Sequence, residues 1–480
     1  MPPATLLPGA THDPLVERAF ARITGAEPCD GNAARLLRDA EENYPAWIDA
    51  IRSAKEAIYF ENYIIADDAT GRAFAAVLKE RAESGVRVYV LHDWLGCAGR
   101  ASSRYWTELK GSGVQVRPFN VPSIASPLAW LRRDHRKVLV VDHRIGFVSG
   151  LCVADDWCGD RTEAIQPWRD TGVELRGPVV ADLVKAFSAT WAEAGPPFAA
   201  SVLDHPHVSR AEGEVTARIV AGRPGTLSTY RLDQFVASAT RESLWLTDAY
   251  FVGTTAYVQA LITAARDGVD VRLLVPRASD VPVLKPITRA GYRPLIEAGV
   301  RVFEWNGPML HAKTAVADRR WARIGSTNLN VASWLANWEL DVMITDAAFA
   351  AEMSDTYLED LANSTEIVLD ERQSVRAKAP NPPRHVLRAG STSRLAAGAI
   401  SLSNAAGAAI TAGRSLELSE AKAIAHIGLF LLAVAAVAIV FPRVFMVPFA
   451  VALVWIGISL LARAWKLNRT GRGQANERAP

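Results

Sequence analysis

His135-Arg136-Lys137-Val138-Leu139-Val140-Val141-Asp142 reads H-x-K-x-x-x-x-D, and His311-Ala312-Lys313-Thr314-Ala315-Val316-Ala317-Asp318 repeats it. Alternate side chains of a β-strand share a face, so a His and a Lys two apart point at one spot. The short apolar residues after each Lys predict a buried strand. Asp142-His143-Arg144 and Asp318-Arg319-Arg320 supply polar turns, and second apolar runs follow at Ile145 to Val148 and Trp321 to Ile324. Each run ends on small residues at the same distance, Ser149-Gly150 and Gly325-Ser326. One such motif is weak, but two followed by a small pair at identical spacing predict one site built twice.

The flanks repeat as well. Glu242-Ser243-Leu244-Trp245-Leu246 answers Glu56-Ala57-Ile58-Tyr59-Phe60, and Asp267-Gly268-Val269 answers Ser84-Gly85-Val86. Matched landmarks lie about 180 residues apart, a spacing for two similar domains and not for a solenoid. Helix–Gly–strand alternation, as over Gly71 to Leu91, is a βαβ pattern and predicts an α/β fold. Its sheet is expected to be mixed but largely parallel, with helices on its faces. A helical pattern runs from Asn32 through Leu36, Leu37, Ala40, Ala46, Ile48 and Ile51, broken at Pro45. The expected organisation is an arm over 1–30, similar domains over 31–205 and 206–371, and a Pro-containing linker over 196–213.

Composition narrows the class. Half of the 480 residues are hydrophobic, and the formal charge of +2 lacks the basic excess of a nucleic-acid enzyme. Cys29, Cys97, Cys152 and Cys158 show no metal-ligand spacing and are expected as reduced thiols. No basic stretch leads into an apolar run at Met1-Pro2-Pro3, so no signal peptide is expected and the catalytic part should be cytoplasmic. Over 372–422 the cations Arg372, Arg376, Lys378, Arg384, Arg388 and Arg394 precede an Ala/Gly/Ser-rich stretch, read as a surface helix or a flexible linker. The uncharged runs 423–441 and 444–462 are each long enough to span a bilayer. Only Pro442-Arg443 separates them, so they predict a transmembrane hairpin over 423–464. The basic tail 465–480 would stay cytoplasmic, giving a two-helix inner-membrane protein.

Paired H-x-K-x-x-x-x-D units followed by G-S-x-N resemble the phospholipase D superfamily. The second copy matches in full with Gly325, Ser326 and Asn328, then Ser333, Asn337 and Glu339. The first departs, with Cys152 standing where the pattern has Asn, so it lacks the amide donor there. Phe60-Glu61-Asn62-Tyr63-Ile64, Asp134-His135-Arg136-Lys137, Pro167-Trp168-Arg169-Asp170-Thr171 and Leu310-His311-Ala312-Lys313 are most similar to bacterial cardiolipin synthases.

A phosphodiester resists attack unless a nucleophile, a proton donor and fixed positive charge meet at phosphorus. Two His and two Lys in one cleft supply all three without a metal, and predict a bell-shaped pH profile. The resemblance implies two domains about a pseudo-twofold axis, His135 as nucleophile and His311 as general acid/base. It also implies Lys137, Lys313, Ser149, Ser326 and Asn328 on the phosphate. From their places in the motifs, Asp170 is expected to orient His135, and Glu339 to orient His311. Asp142 and Asp318 complete the catalytic set of the motif, although their turn positions favour a structural role. Trp130, Arg289 and Tyr292 are headgroup candidates.

The implied reaction joins two phosphatidylglycerol molecules and releases glycerol, with phosphatidylethanolamine as another substrate and no cofactor or metal. The rivals are a hydrolase or nuclease of the same fold, and a non-catalytic lipid-binding relative. Oligomeric state is not legible.

Overall fold

A computed structural model describes residues 14–122, 132–159, 165–199, 210–281, 288–370, 375–378 and 454–455. Both repeated stretches fold as antiparallel hairpins: β5 (Lys137–Val141) with β6 (Ile145–Ser149), and β12 (Thr314–Ala317) with β13 (Trp321–Gly325). Their turns carry positive φ at Asp142 and His143 (51° and 56°) and at Asp318 and Arg319 (51° each). Two such residues in succession match the twist of a tight hairpin, and Asp is among the few side chains that accept this conformation.

Each Asp also holds the strand beside its hairpin. The Asp142 carboxylate accepts the N–H groups of Lys55, Glu56 and Ala57 at 2.8, 2.8 and 2.9 Å. That of Asp318 accepts those of Arg241, Glu242 and Ser243 at 3.0, 2.7 and 3.0 Å.

The strands flanking the first hairpin are β1 (Cys29–Arg38), β2 (Ala57–Asn62), β3 (Arg87–Asp93), β4 (Gln115–Phe119) and β7 (Thr171–Arg176). Those flanking the second are β8 (Val215–Gly222), β9 (Ser243–Thr247), β10 (Asp270–Pro276), β11 (Arg301–Trp305) and β14 (Glu339–Thr345), with β15 (Ser364–Leu369) and β16 (Val375–Ala377) at the edge. The order β1-β7-β6-β5-β2-β3-β4 recurs as β8-β14-β13-β12-β9-β10-β11, and β1 joins β8 antiparallel.

The sheet is mixed, but the expectation of a largely parallel one is corrected. Among the described residues only β2–β3–β4 and β9–β10–β11 pair in parallel. A parallel pair needs a crossover connection, supplied by the helices between β2, β3 and β4 and between β9, β10 and β11, whereas the motif turns force their strands antiparallel.

Helices cover both faces. In chain order they are α1 (Pro14–Thr24), α2 (Asp39–Ser53), α3 (Ala69–Glu83), α4 (Ser103–Gly111), α5 (Asp155–Cys158) and α6 (Val180–Glu193). Then come α7 (Ser228–Ala239), α8 (Thr255–Arg266), α9 (Tyr292–Glu297), α10 (Val331–Leu335) and α11 (Ala347–Ala362). Asp68, Ser102, Thr254 and Asp346 cap α3, α4, α8 and α11 by accepting an N–H of the first turn. Gly85 and Gly268 reverse the chain after α3 and α8 with φ of 91° and 93°, a conformation costly for any residue with a Cβ.

Alternation along the strands separates the cores. Ile58, Phe60, Val88 and Val90 face α2, α3 and α4. Tyr59, Tyr89, Val138 and Val140 face a core holding Phe187 and Trp191 of α6. The same core takes Val316, Ile324, Leu340 and Val342 from the second half and Phe349 and Met353 from α11, so the two halves share it. Each fully buried side chain of this size stabilises by roughly 1.5–3 kcal/mol, which ties both halves firmly together.

Two further expectations are corrected. Cys29–Arg38 is a strand, and the helix starts only at Asp39 and runs through Pro45. Pairing on both sides, with β7 and β8, outweighs the helical spacing of Leu36, Leu37 and Ala40. Residues 14–30 are not a loose arm, because Phe20 of α1 packs on Phe235 and Trp321 at ring distances of 4.8 and 6.3 Å.

A second unit, Asn120–Arg132 with Ala412–Pro480, is described only at 120–122, 132 and 454–455. Trp130 and both apolar runs, apart from Val454 and Trp455, thus lie outside the described residues. Among the described residues no helix is long and apolar enough to cross a membrane.

Candidate active site

Each motif histidine sits just before its strand, where its own half meets the other. His135 N donates to Trp338 O at 2.9 Å, and Trp338 N to Arg133 O at 2.7 Å. The counterpart stitch runs from Arg169 N to Met309 O at 2.8 Å and from His311 N to Arg169 O at 2.7 Å. Each imidazole is therefore delivered to the start of the opposite half's β7 or β14, where the candidate carboxylates stand.

The orienting pairs cross between the halves. His135 Nδ1 lies 2.9 Å from Glu339 Oε2, and His311 Nδ1 lies 2.8 Å from Asp170 Oδ2. The within-half pairing expected from the motifs is thereby corrected: the backbone stitches carry each His away from its own half's carboxylate. A carboxylate accepts, so Nδ1 carries the proton in both rings and Nε2 is left for chemistry.

Both pairs are buried, with His135 8% and His311 4% exposed and both carboxylates fully covered. Burial pushes His311 down to about 3, and Lys313 and Lys137 add to the effect. His135 is lowered by burial and by the same two lysines, against the pull of Glu339. Each lysine thus acts on both rings, so the four groups share one electrostatic neighbourhood. Burial raises Asp170 and Glu339, but the imidazoles, lysines and donors around them outweigh it and hold both below the usual carboxylate range. Burial lowers Lys313 to about 8. Two ammonium groups, two carboxylates and two neutral imidazoles make a balanced site, and an incoming phosphodiester anion favours protonating one imidazole.

The carboxylates are held differently. Glu339 Oε2 also accepts Ser326 Oγ at 2.6 Å, and Oε1 accepts Asn337 Nδ2 at 3.1 Å. Asp170 Oδ2 instead accepts the Trp157 indole N–H at 2.8 Å. Gly150 is the counterpart of Ser326, and a Cβ there would come within 2.1 Å of Asp170 Oδ1. The shorter Asp thus fills the space of a serine, and Trp157 takes over its donor role.

The other candidates separate. Lys137 and Lys313 each fold their ammonium back onto the carbonyl of their own His and lie 5.2 and 5.7 Å from the rings of Tyr63 and Tyr250. Ser326 spends its only hydroxyl proton on Glu339, so its assignment as a phosphate donor is corrected to a support of that carboxylate. Ser149 Oγ accepts Leu151 N at 3.1 Å, which leaves its proton to give.

Asn328 is held by its backbone N–H on Ser333 Oγ at 3.2 Å, and its buried Oδ1 has no hydrogen-bond partner among the described residues. The Cys152 thiol is fully buried and feels Lys137 and Lys313. Asp142 and Asp318 stand at the far ends of their strands, about 16 Å from Lys137 and Lys313 by strand rise, so their place in the catalytic set is corrected to a structural one.

Arg289 pairs through Nε and Nη2 with the two oxygens of Glu304, and Tyr292 lies in the second-half core, so neither is brought to the imidazoles. Trp130 is outside the described residues. Among them, no group of three or more His, Cys, Asp or Glu side chains gathers as a metal site would.

Sequence reasoning missed the aromatic surroundings. Tyr63 stands edge-on to His135 at 5.0 Å; Trp157, Trp168 and Tyr250 surround His311 at 5.2, 5.8 and 5.9 Å. Tyr63 and Trp168 lie inside the motif text, but nothing in their spacing shows that they face an imidazole.

A sequence profile described as "Cardiolipin synthase, PLD-like domain" matches residues 47–191 and 232–361, and the chain belongs to that family. Cardiolipin synthase A of Pseudomonas fluorescens is 34% identical over 370 residues, covering 75% of this chain and 74% of that protein. Cardiolipin synthase of Halalkalibacterium halodurans is 29% identical over 362 residues, covering 74% and 71%. Among solved structures, the phosphatidylserine synthase of Haemophilus influenzae shares the fold at a TM-score of 0.59 and 15% identity, over 73% of this chain and 92% of that one.

Proposed function

We propose that the protein is a membrane-bound phosphatidyltransferase that makes cardiolipin from two phosphatidylglycerol molecules. The observation that carries this is the pair of imidazoles, each anchored through Nδ1 by the opposite half, beside two lysines that act on both.

His135 Nε2 attacks phosphorus and the bond to the glycerol oxygen breaks. Protonated His311 gives its proton to that oxygen, and glycerol leaves. His311, now neutral, takes the proton of the second lipid's hydroxyl, whose oxygen attacks phosphorus and releases His135. Lys137 and Lys313 hold the phosphate oxygens, with Asn328 and Ser149 as neutral donors.

Water competes at the second step, and a site pressed against a bilayer favours the lipid hydroxyl through local concentration and partial dehydration. The family resemblance and the apolar runs 423–441 and 444–462 support membrane attachment, with the catalytic halves in the cytoplasm. The test is full-length protein in phosphatidylglycerol vesicles with chelator present, scoring glycerol release and lipid products. Cardiolipin with stoichiometric glycerol is expected, whereas phosphatidic acid as the main product would show a hydrolase.

A further inference from the structure

Asp39 is the first residue of α2, at the junction with β1, and it carries a φ of 48°. A residue with a Cβ held there is strained, and such strain persists only where surrounding contacts over-determine it. The contacts here converge on Asp170. Asp39 N donates to Asp170 O at 3.0 Å, while Asp39 Oδ1 accepts Asp170 N at 2.8 Å. One residue thus grips both backbone groups of the carboxylate that orients His311.

Arg169 completes the grip. Its Nη1 donates to Asp39 Oδ1 at 3.1 Å, to Thr171 Oγ1 at 3.0 Å and to the carbonyl of Asp170. Its Nε donates to Asp360 Oδ1 of α11, from the second half, at 2.8 Å. The Arg169 carbonyl in turn accepts His311 N. Asp39 therefore stands at the start of a continuous hydrogen-bonded path to both ends of the Asp170–His311 pair. Among the described residues the His135 side has no such residue: Arg136 Nε holds the Glu339 carbonyl there at 3.1 Å.

We infer that Asp39 is a positioning residue for the proton-transfer step, holding Asp170 so that His311 keeps its Nδ1–H tautomer and its aim. A strained backbone is retained because only this conformation presents the amide and the carboxylate of Asp39 to Asp170 together. Asp39 touches no reacting atom and acts through Asp170 and the Arg169 beside it.

The inference rests on His311 being the acid/base group. Wild-type turnover and its loss in His311→Ala test that reading by themselves, so the two can fail separately. Asp39→Gly tests the clamp, since glycine adopts the left-handed conformation freely but has no carboxylate. In full-length protein its melting temperature is expected at or near that of the wild type. Its kcat on phosphatidylglycerol vesicles should fall about 10- to 100-fold, as for a group loosened by a fraction of an ångström to an ångström, with KM little changed.

Imidazole 15N shifts give a readout that needs no turnover. The His311 signals should lose the fixed Nδ1–H pattern in Asp39→Gly, while those of His135 stay as they are. Asp39→Asn, which keeps the backbone conformation and an acceptor for Asp170 N, should recover most of the activity. Wild-type kcat and unchanged His311 shifts in Asp39→Gly overturn the inference. If that variant does not fold, Asp39→Glu decides, because it keeps the charge facing Arg169 but sets the carboxylate one methylene away from Asp170 N: a several-fold fall in kcat with a disturbed His311 signal supports the clamp, and wild-type values of both overturn it.

Discussion

Replacing Glu339 with Gln tests the crossed arrangement directly, because the residue lies in the second half while its imidazole belongs to the first. Glu339 Oε2 accepts two protons, from His135 Nδ1 at 2.9 Å and Ser326 Oγ at 2.6 Å, and Oε1 accepts a third from Asn337 at 3.1 Å. A glutamine has one accepting oxygen. Turned toward His135 and Ser326, it sets its NH2 against the Asn337 NH2; turned the other way, it faces the imidazole N–H with a donor. Either way the imidazolium-like charge developing on His135 loses its counter-charge, and at least one charge-assisted hydrogen bond becomes a weak one.

A hydrogen bond to a charged group contributes about 1.5–3 kcal/mol, and two of the three weaken together, so a loss of about 3–6 kcal/mol follows. That corresponds to roughly 10²–10⁴ in kcat. The assay is glycerol release from phosphatidylglycerol vesicles, with acid-quench trapping of phosphate label on the protein. Glu339→Gln should slow formation of the labelled His135, and Asp170→Asn should instead impair proton transfer through His311. A fall of less than about tenfold in Glu339→Gln would refute the reasoning. So would a labelling defect that follows Asp170 in place of Glu339.

Lys313 is held down to about 8 by burial, so its ammonium is lost as pH rises through that value and phosphate binding weakens above it. KM for vesicles should therefore climb between pH 7 and 10, and Lys313→Arg should move the climb upward; a KM flat to pH 10 in the wild type contradicts this. Asp318→Ala strips the acceptor from three backbone N–H groups far from the imidazoles. It should cost about 1–3 kcal/mol in urea unfolding while leaving kcat per folded molecule within about twofold, and a thousandfold kcat loss in folded protein would restore a catalytic role. Cys152→Asn puts an amide donor beside both lysines and should lower KM several-fold in vesicle assays, whereas a raised KM would show that the buried thiol site is too tight for it.

Much of the fold is legible because its signals are local. The apolar runs of β5 and β12, the turns at Asp142 and Asp318, and the helix–Gly–strand repeats depend on residues near one another in the chain. The first strand reads locally as helix and is a strand for a nonlocal reason. Leu36 and Leu37 carry a helical spacing, yet β1 lies between β7 and β8 and holds the two halves together, a pairing no local pattern reports. Sheet direction failed similarly, since alternating elements suggest parallel pairing while the motif turns impose the opposite on their own strands. Arg289 reads as a free cation until Glu304 is seen beside it.

The candidate reacting groups are legible in the sequence itself. His135, Lys137, His311 and Lys313 are set by a spacing that any β-strand converts into a shared face, and its duplication announces one site made from two halves. Only the tertiary structure decided who serves whom. Glu339 belongs to His135 and Asp170 to His311, Ser326 spends its proton on a carboxylate, and Trp157 does for Asp170 what that serine does for Glu339. The reason is physical: spacing along a chain governs what neighbours a residue within a few ångströms of its own strand. Which carboxylate crosses the seam depends on how the two halves of the sheet meet, a relation settled by the core they share.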